Sequence, residues 1–578
     1  MLGILYLLLF FAGGAWIARM LLPGRRPLVR LYIGLSFGVL LLMWLPALWA
    51  HAVRFSYAAH VLAAVTLLGL CALAWLLRDR RPPLPFDARE ERLALDLLWM
   101  AVPLIILSGF LQYTHSICPM ADGSYYVGQS TYGDLSLHLA VTTSIVNAKF
   151  PLENSLMLGA TMAYPYLADS IATTMLMFGQ SLPTAMAFTG TLMMTLVFMG
   201  YGLLVSQLCR KRGAAFLAFF LLFMNGGLGF FYTLSGTVEN GYVTDVWDNL
   251  YNVMNGYYQT PTNQPDPNNL RWSNVIADLM IPQRTLLGGW CMVIPCFYLL
   301  YACFDPGKRE KLGSARGEVL LGVWGGALPL IHTHSFVALA LCSVGMLVYD
   351  LLHDEERLAQ FKRYLRYGAI AAVLSVPQLV LFTFAQVFQG GESNSFIKLW
   401  FNWVNNPYGN GELRDFYLWF YVKNIGLPVI ALILAVMERD RHTRRIFSGA
   451  MVIIVVAELI RFQPNPYDNN KLLYLAWLLC CMIVANWCRG VWQRLKGMRA
   501  RPVMAAAAAV VVFLSAGLTL WRECVSDYQA FNSDAVAAGQ FAQQETEEGS
   551  VFLSGTQHLN PVSSIGGRTT VCGPDLWL

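Results

Sequence analysis

Asp134 and His138 are the residues whose types and spacing best suit acid–base chemistry. They lie in Thr131-Tyr-Gly-Asp-Leu-Ser-Leu-His138, and the pattern over 135–145 predicts a short helix with Asp134 at or near its N-cap. Both side chains would then point to one side of the helix, where a carboxylate can act as a general base and an imidazole can assist it. An Asp at this position also commonly does no more than cap the helix. The competing carboxylate, Asp122, precedes a glycine and is typical of a turn.

Arg284, His332 and His334 are candidate ligands for an anionic group. Arg284 follows Gln283 just before an apolar segment, which predicts that it lies at a membrane interface. There its guanidinium can bind a phosphate in a bidentate manner, or serve only as an interfacial anchor. His332 and His334 fall where one apolar segment ends and the next begins. Two residues apart they do not share a helix face, so a helical metal pair is disfavoured, whereas both rings can hydrogen-bond a phosphate at a turn.

A third group lies in Arg461-Phe-Gln-Pro-Asn-Pro-Tyr-Asp468-Asn-Asn-Lys471. Its two prolines prevent a helix and favour a short fixed loop. Lys471 and Arg461 can neutralise a phosphate or diphosphate, with Asp468 orienting one of them. The alternative is an ion pair between Asp468 and Lys471 that only ties the loop together.

The elements that must position these residues are membrane helices. Of the 578 residues, 56% are hydrophobic and 13% charged, against about 45–50% and about 25% in soluble proteins. Apolar segments long enough to cross a bilayer predict an all-α polytopic protein with fourteen spans, at about 2–22, 31–50, 56–77, 95–112, 183–208, 214–234, 286–304, 317–333, 335–352, 367–388, 417–437, 446–460, 470–487 and 503–521.

The basic residues predict which loops face the cytoplasm. Seven short loops between alternate spans hold 28 of the 40 Lys and Arg residues, and such an excess marks the cytoplasmic side. All the candidate residues above then fall on the non-cytoplasmic face. A span over 165–180 would invert every later loop, so this segment is predicted to lie along the outer membrane surface. The net charge of +5 is too small to indicate nucleic acid.

The predicted organisation has three parts: an N-terminal transmembrane module at 1–94, a transmembrane domain at 95–521 and a small non-cytoplasmic segment at 522–578. The outer loop 113–182 of the second part carries two juxtamembrane helices. The tail reads as a helix over 531–548 followed by two short strands. His558 and Arg568 of the tail can reach the candidate site or remain on the surface. The loop 235–280, rich in aromatic and amide residues, suits sugar recognition and equally an interfacial aromatic belt.

Several common chemistries have no signature in this sequence. Zinc-ligand spacing, a phosphate-binding glycine loop and a Gly-x-Ser-x-Gly elbow are all missing from the 578 residues. The sequence therefore does not favour a nucleotide-driven cytoplasmic machine. Most of the twelve cysteines lie in apolar segments, and a Cys524–Cys572 disulfide is an open alternative on the outer side.

The sequence resembles the GT-C superfamily of membrane glycosyltransferases, and a bacterial branch of it in particular. The similarity covers about 110–480 and rests on short motifs: Gly133-Asp134…His138, Tyr164-Pro-Tyr166, Ile281-Pro-Gln283-Arg284, Leu330-Ile-His332-Thr-His334-Ser335 and Arg461-Phe-Gln-Pro…Asp468-Asn-Asn-Lys471. Members of this superfamily place a catalytic Asp in the first large outer loop, before a juxtamembrane helix. Here three predicted helices precede the usual first one.

This resemblance implies a multi-pass enzyme of the cell membrane, active on the non-cytoplasmic face. It would move a sugar, with inversion, from a polyprenyl-phosphate-linked donor to a glycan, lipid or protein acceptor. Asp134 and His138 would be catalytic. The donor phosphate would be bound by Gln283, Arg284, His332, His334, Arg461, Asp468 and Lys471. Because a phosphate leaves from an activated donor, no metal is required, although a divalent ion stays open. The alternative is a transporter or lipid flippase with the same residues in a vestibule.

Overall fold

The computed structural model describes the chain except for residues 235–237, 240, 241, 244, 257–259, 305–314, 385–396, 439, 463–468 and 575–578. The described helices, in chain order, are α1 (Leu2–Leu21), α2 (Pro27–Val53), α3 (Tyr57–Leu76), α4 (Ala88–Leu111), α5 (Tyr132–Ser144), α6 (Leu167–Met177), α7 (Leu182–Leu208), α8 (Arg212–Phe223), α9 (Gly229–Leu234), α10 (Val246–Met254), α11 (Arg284–Cys303), α12 (Ala315–Gly326), α13 (Thr333–His353), α14 (Arg357–Gln378), α15 (Tyr417–Ile425), α16 (Leu427–Met437), α17 (Arg441–Leu459), α18 (Asn470–Arg494), α19 (Arg501–Val525), α20 (Ser533–Glu545) and α21 (Pro561–Ser564).

Ten of these helices are long and apolar enough to cross a membrane, among the residues that the structure describes: α1–α4, α7, α11, α13, α14, α18 and α19. The bent pair α15–α16 would make an eleventh. The protein is therefore an all-α integral membrane protein, as predicted. Short π-helical turns at Gln112–Ser116 and Leu379–Thr383 extend α4 and α14, and a third lies at Val275–Met280.

Four of the fourteen predicted spans are not long, straight apolar helices. The segments 214–234 and 317–333 contain the 12-residue helices α8 and α12, and 214–234 also contains the six-residue helix α9 after a turn. Segment 417–437 bends by 115° between α15 and α16, at Gly426, whose φ is +87°. Segment 446–460 lies within α17, whose basic first turns raise its charge above that of a typical span.

The break after α8 has a packing reason. Gly227 has φ +61°, and a Cβ on it would lie 2.2 Å from the Asn424 carbonyl oxygen. The Leu228 amide donates to the Lys423 carbonyl at 2.9 Å. The ends of α8 and α15 therefore touch through their backbones, and only glycine allows so close an approach in this conformation.

The helix α11 forms the centre of the bundle, since all twenty of its residues are buried. It packs against α2, α6, α7, α12 and α13. The helices α1, α3, α14 and α19 lie at the periphery, where their apolar windows are only 22–33% buried. Lipid is the natural neighbour of such exposed apolar surfaces.

The two juxtamembrane helices of the first outer loop are present, but protein encloses them. The helix α6 has 11 residues, about 16 Å at 1.5 Å per residue, so it cannot span, as the sequence predicts. Ten of its residues are buried, as is α5 from Leu135 to Thr143. The helices α2, α5, α7 and α11 pack against α6, and its predicted position along the outer membrane surface stays a prediction.

The small strands are β1 (Cys118–Pro119), β2 (Tyr125–Val127), β3 (Val238–Glu239), β4 (Tyr242–Val243), β5 (Asn263–Gln264), β6 (Leu270–Arg271), β7 (Lys398–Leu399), β8 (Ile460–Arg461), β9 (Tyr528–Phe531), β10 (Val551–Phe552) and β11 (Thr569–Thr570). The tail contains the predicted helix, α20, and the predicted strand pair, β10 and β11, which is parallel. Its strand β9 joins β1 and β2 of the first outer loop in one antiparallel sheet. Cys524 and Cys572 are both free thiols, so the alternative of a disulfide between them is wrong.

Candidate active site

Asp134 lies in the first turn of α5, which is the exposed end of an otherwise buried helix. The N-cap is Thr131, so Asp134 is the third helical residue and not the cap. Tyr132 and Gly133 are exposed, Asp134 is half-buried, and burial begins at Leu135. A Cβ on Gly133 would meet no atom within 4 Å, which shows open space beside the carboxylate. Its position suits a group that meets a ligand at the edge of the bundle.

One turn further along α5, His138 belongs to a fully buried ion-pair network. Its Nδ1 lies 3.0 Å from the Asp169 carboxylate, and its Nε2 accepts the backbone N–H of Arg284 at 3.2 Å. The Arg284 guanidinium donates to the other Asp169 oxygen at 2.9 Å. Asp169 has no exposed surface and Arg284 is 3% exposed. The network thus joins α5, α6 and α11.

The two hydrogen bonds define the protonation state of His138. Because Nε2 accepts a backbone N–H, the proton must be on Nδ1, which donates it to Asp169. His138 is then the neutral Nδ1–H tautomer, with both ring nitrogens engaged inside the protein. The predicted direct catalytic assistance by His138 does not fit this geometry, because no ring nitrogen is left to reach an acceptor.

Arg284 is buried within the protein at the start of α11, and its predicted position at the membrane interface stays a prediction. Besides its bond to Asp169, the guanidinium donates to the Met186 carbonyl at 3.0 Å and to the Thr189 hydroxyl at 2.7 Å, both on α7. All three side-chain nitrogens are therefore occupied by the protein. Buried arginines commonly need such a set of partners, because an uncompensated charge in an apolar interior is very costly.

The structure brings together His332, His334 and Lys471. His332 is the N-cap residue of α13, and its ring lies 5.3 Å from that of His334 between centroids. Lys471 is the second residue of α18, and its charge acts on His332. Burial holds the pKa of His332 well below its usual value, and the positive charges of His334 and Lys471 lower it further. His332 is therefore neutral at physiological pH.

Two buried polar atoms near this cluster have no hydrogen-bond partner among the residues that the structure describes. They are Nε2 of His332, whose Nδ1 bonds the Ser335 hydroxyl at 2.8 Å, and Oε1 of Gln283. Gln283 is the N-cap residue of α11, and His332 packs against the same helix, where a Cβ on Gly289 would lie 2.3 Å from the Cβ of His332. Buried orphan groups of this kind are typical of a site that a ligand or water completes.

The structure describes Arg461 but not Asp468. Arg461 is buried on β8, which pairs with β7, and its guanidinium lies 4.6 Å from the centroid of the Trp400 ring. Burial lowers the pKa of Arg461. Asp468 lies outside the described residues, so its predicted role stays a prediction.

Sequence reasoning missed a second buried group, formed by Ser130, Asp278 and Glu523. The Ser130 hydroxyl lies 2.8 Å from the Asp278 carboxylate and 3.0 Å from the Glu523 carboxylate. A single hydroxyl hydrogen can serve one of them at a time. Burial raises the pKa of Asp278. The signal in the sequence was the scarcity of charge: Asp278 stands alone in the apolar run 275–281, and Glu523 follows directly on a span.

The described residues contain no group of three or more His, Cys, Asp or Glu side chains placed to hold a metal ion. The two carboxylates at Ser130 lie near Arg522, whose charge acts on Asp278 and opposes a cation there. These residues do not fit a metal centre, and we derive no step through one.

The tail reaches the beginning of α5. Nε2 of His558 lies 3.0 Å from the Tyr132 carbonyl, two residues before Asp134. Thr143, near the other end of α5, donates to the Ser563 carbonyl at 3.2 Å. Arg568, in contrast, is tied within the tail by a 2.7 Å bond to the Gln543 carbonyl. Of the two tail residues considered from the sequence, His558 thus lies beside the candidate site and Arg568 stabilises the tail itself.

The fold formed by the membrane helices and the enclosed outer loop is similar to that of a solved oligosaccharyltransferase, in agreement with the fold that the GT-C resemblance implies. An Archaeoglobus fulgidus oligosaccharyltransferase, solved with Zn and sulfate, has this fold: it is 11% identical over 82% of this chain and 62% of its own, with a TM-score of 0.50. The same protein is also matched in a form tethered to an acceptor peptide (10% identical, 82% and 64% covered, TM-score 0.46).

A third match is the Archaeoglobus fulgidus oligosaccharyltransferase AglB with an inhibitory peptide and a dolichol-phosphate (11% identical, 83% and 64% covered, TM-score 0.42). The chain spans less than two thirds of the length of these structures. No protein-family model matches the sequence, and no curated protein matches it significantly.

Proposed function

We propose that this protein is a membrane glycosyltransferase that moves a sugar from a polyprenyl-phosphate-linked donor to an acceptor on the non-cytoplasmic face. The observation that carries the proposal is Asp134, a half-buried carboxylate on the one exposed turn of α5. Its helix is fixed through His138 to the first residue of α11. About 7 Å along α11, the helix passes His332, which marks the cationic cluster. A base and a phosphate site on one rigid frame are what this reaction needs.

In the proposed reaction, Asp134 accepts the proton of the acceptor nucleophile. The nucleophile forms a bond to the anomeric carbon as the bond from that carbon to the phosphate oxygen breaks. The electron pair of the broken bond leaves with the polyprenyl phosphate. Attack opposite to the leaving group gives inversion. The acceptor class is a glycan, a lipid or a protein.

Lys471 and His334 supply positive charge or hydrogen bonds to the departing phosphate, and the unpartnered Nε2 of the neutral His332 completes the set. A compact charge and fixed donors stabilise the developing negative charge most effectively where water is excluded. Gln283, the N-cap residue of α11, stays a predicted phosphate ligand. Arg284 and His138 act in this proposal through position alone, since their polar groups are engaged with Asp169 and neighbouring helices. Arg461 stays a predicted phosphate ligand.

The active face and the metal requirement rest on separate arguments. The non-cytoplasmic assignment rests on the charge of the loops. The activated donor makes a metal dispensable in principle, although one matched oligosaccharyltransferase was solved with Zn. The expectation that no metal is required stays a prediction, which turnover measured after exhaustive chelation tests directly.

The transporter alternative is not favoured. Broken helices often line transport sites with free backbone groups, and α8 and α15 are both broken. Here the broken ends bond each other and their neighbours: the Leu228 amide donates to Lys423, and the Phe230 amide donates to the Ser515 hydroxyl at 2.9 Å. These groups are therefore satisfied by the protein.

The test is the Asp134→Asn variant in proteoliposomes supplied with polyprenyl-phosphate-linked radiolabelled sugars. Release of polyprenyl phosphate should fall by at least about 100-fold, the usual contribution of a general base, with donor binding retained. The matched control is Asp122→Asn, which removes an exposed carboxylate in the same loop that only caps Ser124. Turnover by Asp134→Asn equal to that of the control would refute the assignment.

A further inference from the structure

The helix α10 lies at the outer end of α19, and large apolar and aromatic side chains on one of its faces are exposed. Trp247, Tyr251 and Met254 follow each other at the i, i+4, i+7 spacing of one helix face. Trp247 is 75% exposed and Tyr251 63% exposed. Asp248, also exposed, lies on a flank of the helix, about 100° round from Trp247. An exposed aromatic face in a folded protein marks a contact surface.

The side of α10 opposite the aromatic face packs against the protein. Asn249 and Val253 are buried, and α10 packs against α9 and α19. Trp521 of α19 donates its indole N–H to the Met254 carbonyl at 3.3 Å. Asp245 caps the first turn by accepting the amide N–H of Asp248 at 2.8 Å. These contacts fix the orientation of the aromatic face relative to α19.

The position of Trp521 gives the depth of α10. Trp521 stands twenty residues after Arg501, the first residue of α19, which is about 30 Å at 1.5 Å per residue. That distance matches the thickness of the hydrocarbon core. With the basic start of α19 at one interface, Trp521 and the bonded end of α10 lie at the other, where Trp and Tyr side chains are enriched.

We propose that α10 lies in the outer membrane interface, with Trp247, Tyr251 and Met254 in bilayer lipid and Asp248 in water. The occupant is lipid because the aromatic face continues the apolar surface of α19, a peripheral span, through the partly exposed Trp521. The helix carries no Lys or Arg, so apolar burial and not anionic headgroups would hold it there. The inference is independent of the proposed reaction.

Spin labels test this arrangement in the full-length protein in phosphatidylcholine vesicles. Trp247→Cys and Asp248→Cys are each made in a Cys572→Ser chain, which lacks the exposed thiol, and the signal of that parent chain is subtracted. The ratio of oxygen to aqueous nickel-complex accessibility should be severalfold higher at 247 than at 248. Adding anionic lipid should leave both ratios unchanged.

Two outcomes would overturn the proposal. Equal nickel accessibility at both positions would place the aromatic face in water. A label at 247 that is shielded from oxygen and nickel alike would mean that protein covers the face. Tyr251→Cys provides a second label on the same face, so that one poorly folded variant does not decide the result.

Discussion

Replacing Asp169 by Asn should destabilise the protein more than any comparable change to a surface ion pair. The Asp169 carboxylate accepts two hydrogen bonds, from His138 Nδ1 and from Arg284 Nε. An amide offers one oxygen and one NH₂ group, so one of these donors would face an N–H. His138 cannot compensate by changing tautomer, because its Nε2 must accept the Arg284 amide.

The expected loss follows from burial. The side chains of Asp169 and Arg284 are 0% and 4% exposed, and removing one partner of such a pair costs about 3–5 kcal/mol because the remaining charge is uncompensated. The matched control is Arg494→Gln, which breaks a pair with Glu438 whose members are 58% and 43% exposed. Exposed pairs contribute about 0–1 kcal/mol.

The double variant Asp169→Asn/Arg284→Gln separates charge from shape. It leaves no buried charge, so its cost should fall to that of imperfect hydrogen bonds, about 1–3 kcal/mol. Unfolding in detergent, followed by tryptophan fluorescence against denaturant, measures all three proteins. The reasoning fails if the single variant resembles Arg494→Gln, or if the double variant is less stable than the single one.

Three further predictions concern single residues. Lys471→Gln should raise the donor KM roughly tenfold, since a charge-assisted hydrogen bond contributes about 1.5–3 kcal/mol. The control Lys149→Gln, in the first outer loop, should leave the donor KM unchanged. Equal KM values for the two variants would contradict this prediction. His138→Gln, which can donate to Asp169 and accept from Arg284, should keep most turnover while His138→Ala loses it; inactivity of both, with normal folding, would favour direct acid–base chemistry. Because the pKa of Asp278 is raised, the native state holds that proton more tightly than the unfolded chain, and the free energy of unfolding should fall as pH rises above about 4. Asp278→Asn should flatten this dependence in pH-dependent unfolding, and an unchanged slope would contradict it.

The sequence predicts the positions of most membrane helices because apolar length is a local property. It also predicts correctly that 165–180 does not span, from charge alone. It fails at 214–234 and 417–437, whose hydropathy is high although Gly227 and Gly426 break the helices. Those breaks depend on a contact between residues about 200 positions apart, which no local pattern contains.

The candidate site likewise has features that the sequence predicts and features that it does not. The sequence predicts Asp134 at the start of a helix and the pair His332 and His334 at a turn. The structure has both features, because each depends mainly on neighbouring residues in the chain. The burial of Arg284 in an ion pair could not be predicted, because its partner, Asp169, lies 115 residues away. The sequence does not show which distant polar residues pair in the fold. It therefore cannot distinguish an arginine in a buried ion pair from an arginine that anchors the membrane interface.

The joining of β9 to β2 has a consequence for biosynthesis. The loop that carries Asp134 is completed by contacts such as that from the Gln129 amide to the Ser526 hydroxyl, 397 residues later. At about 5–20 residues per second, the ribosome needs roughly 20–80 s to supply that partner. During this time the first loop has an open sheet edge. The finished site therefore cannot form on a nascent chain and arises only after the last span has been inserted.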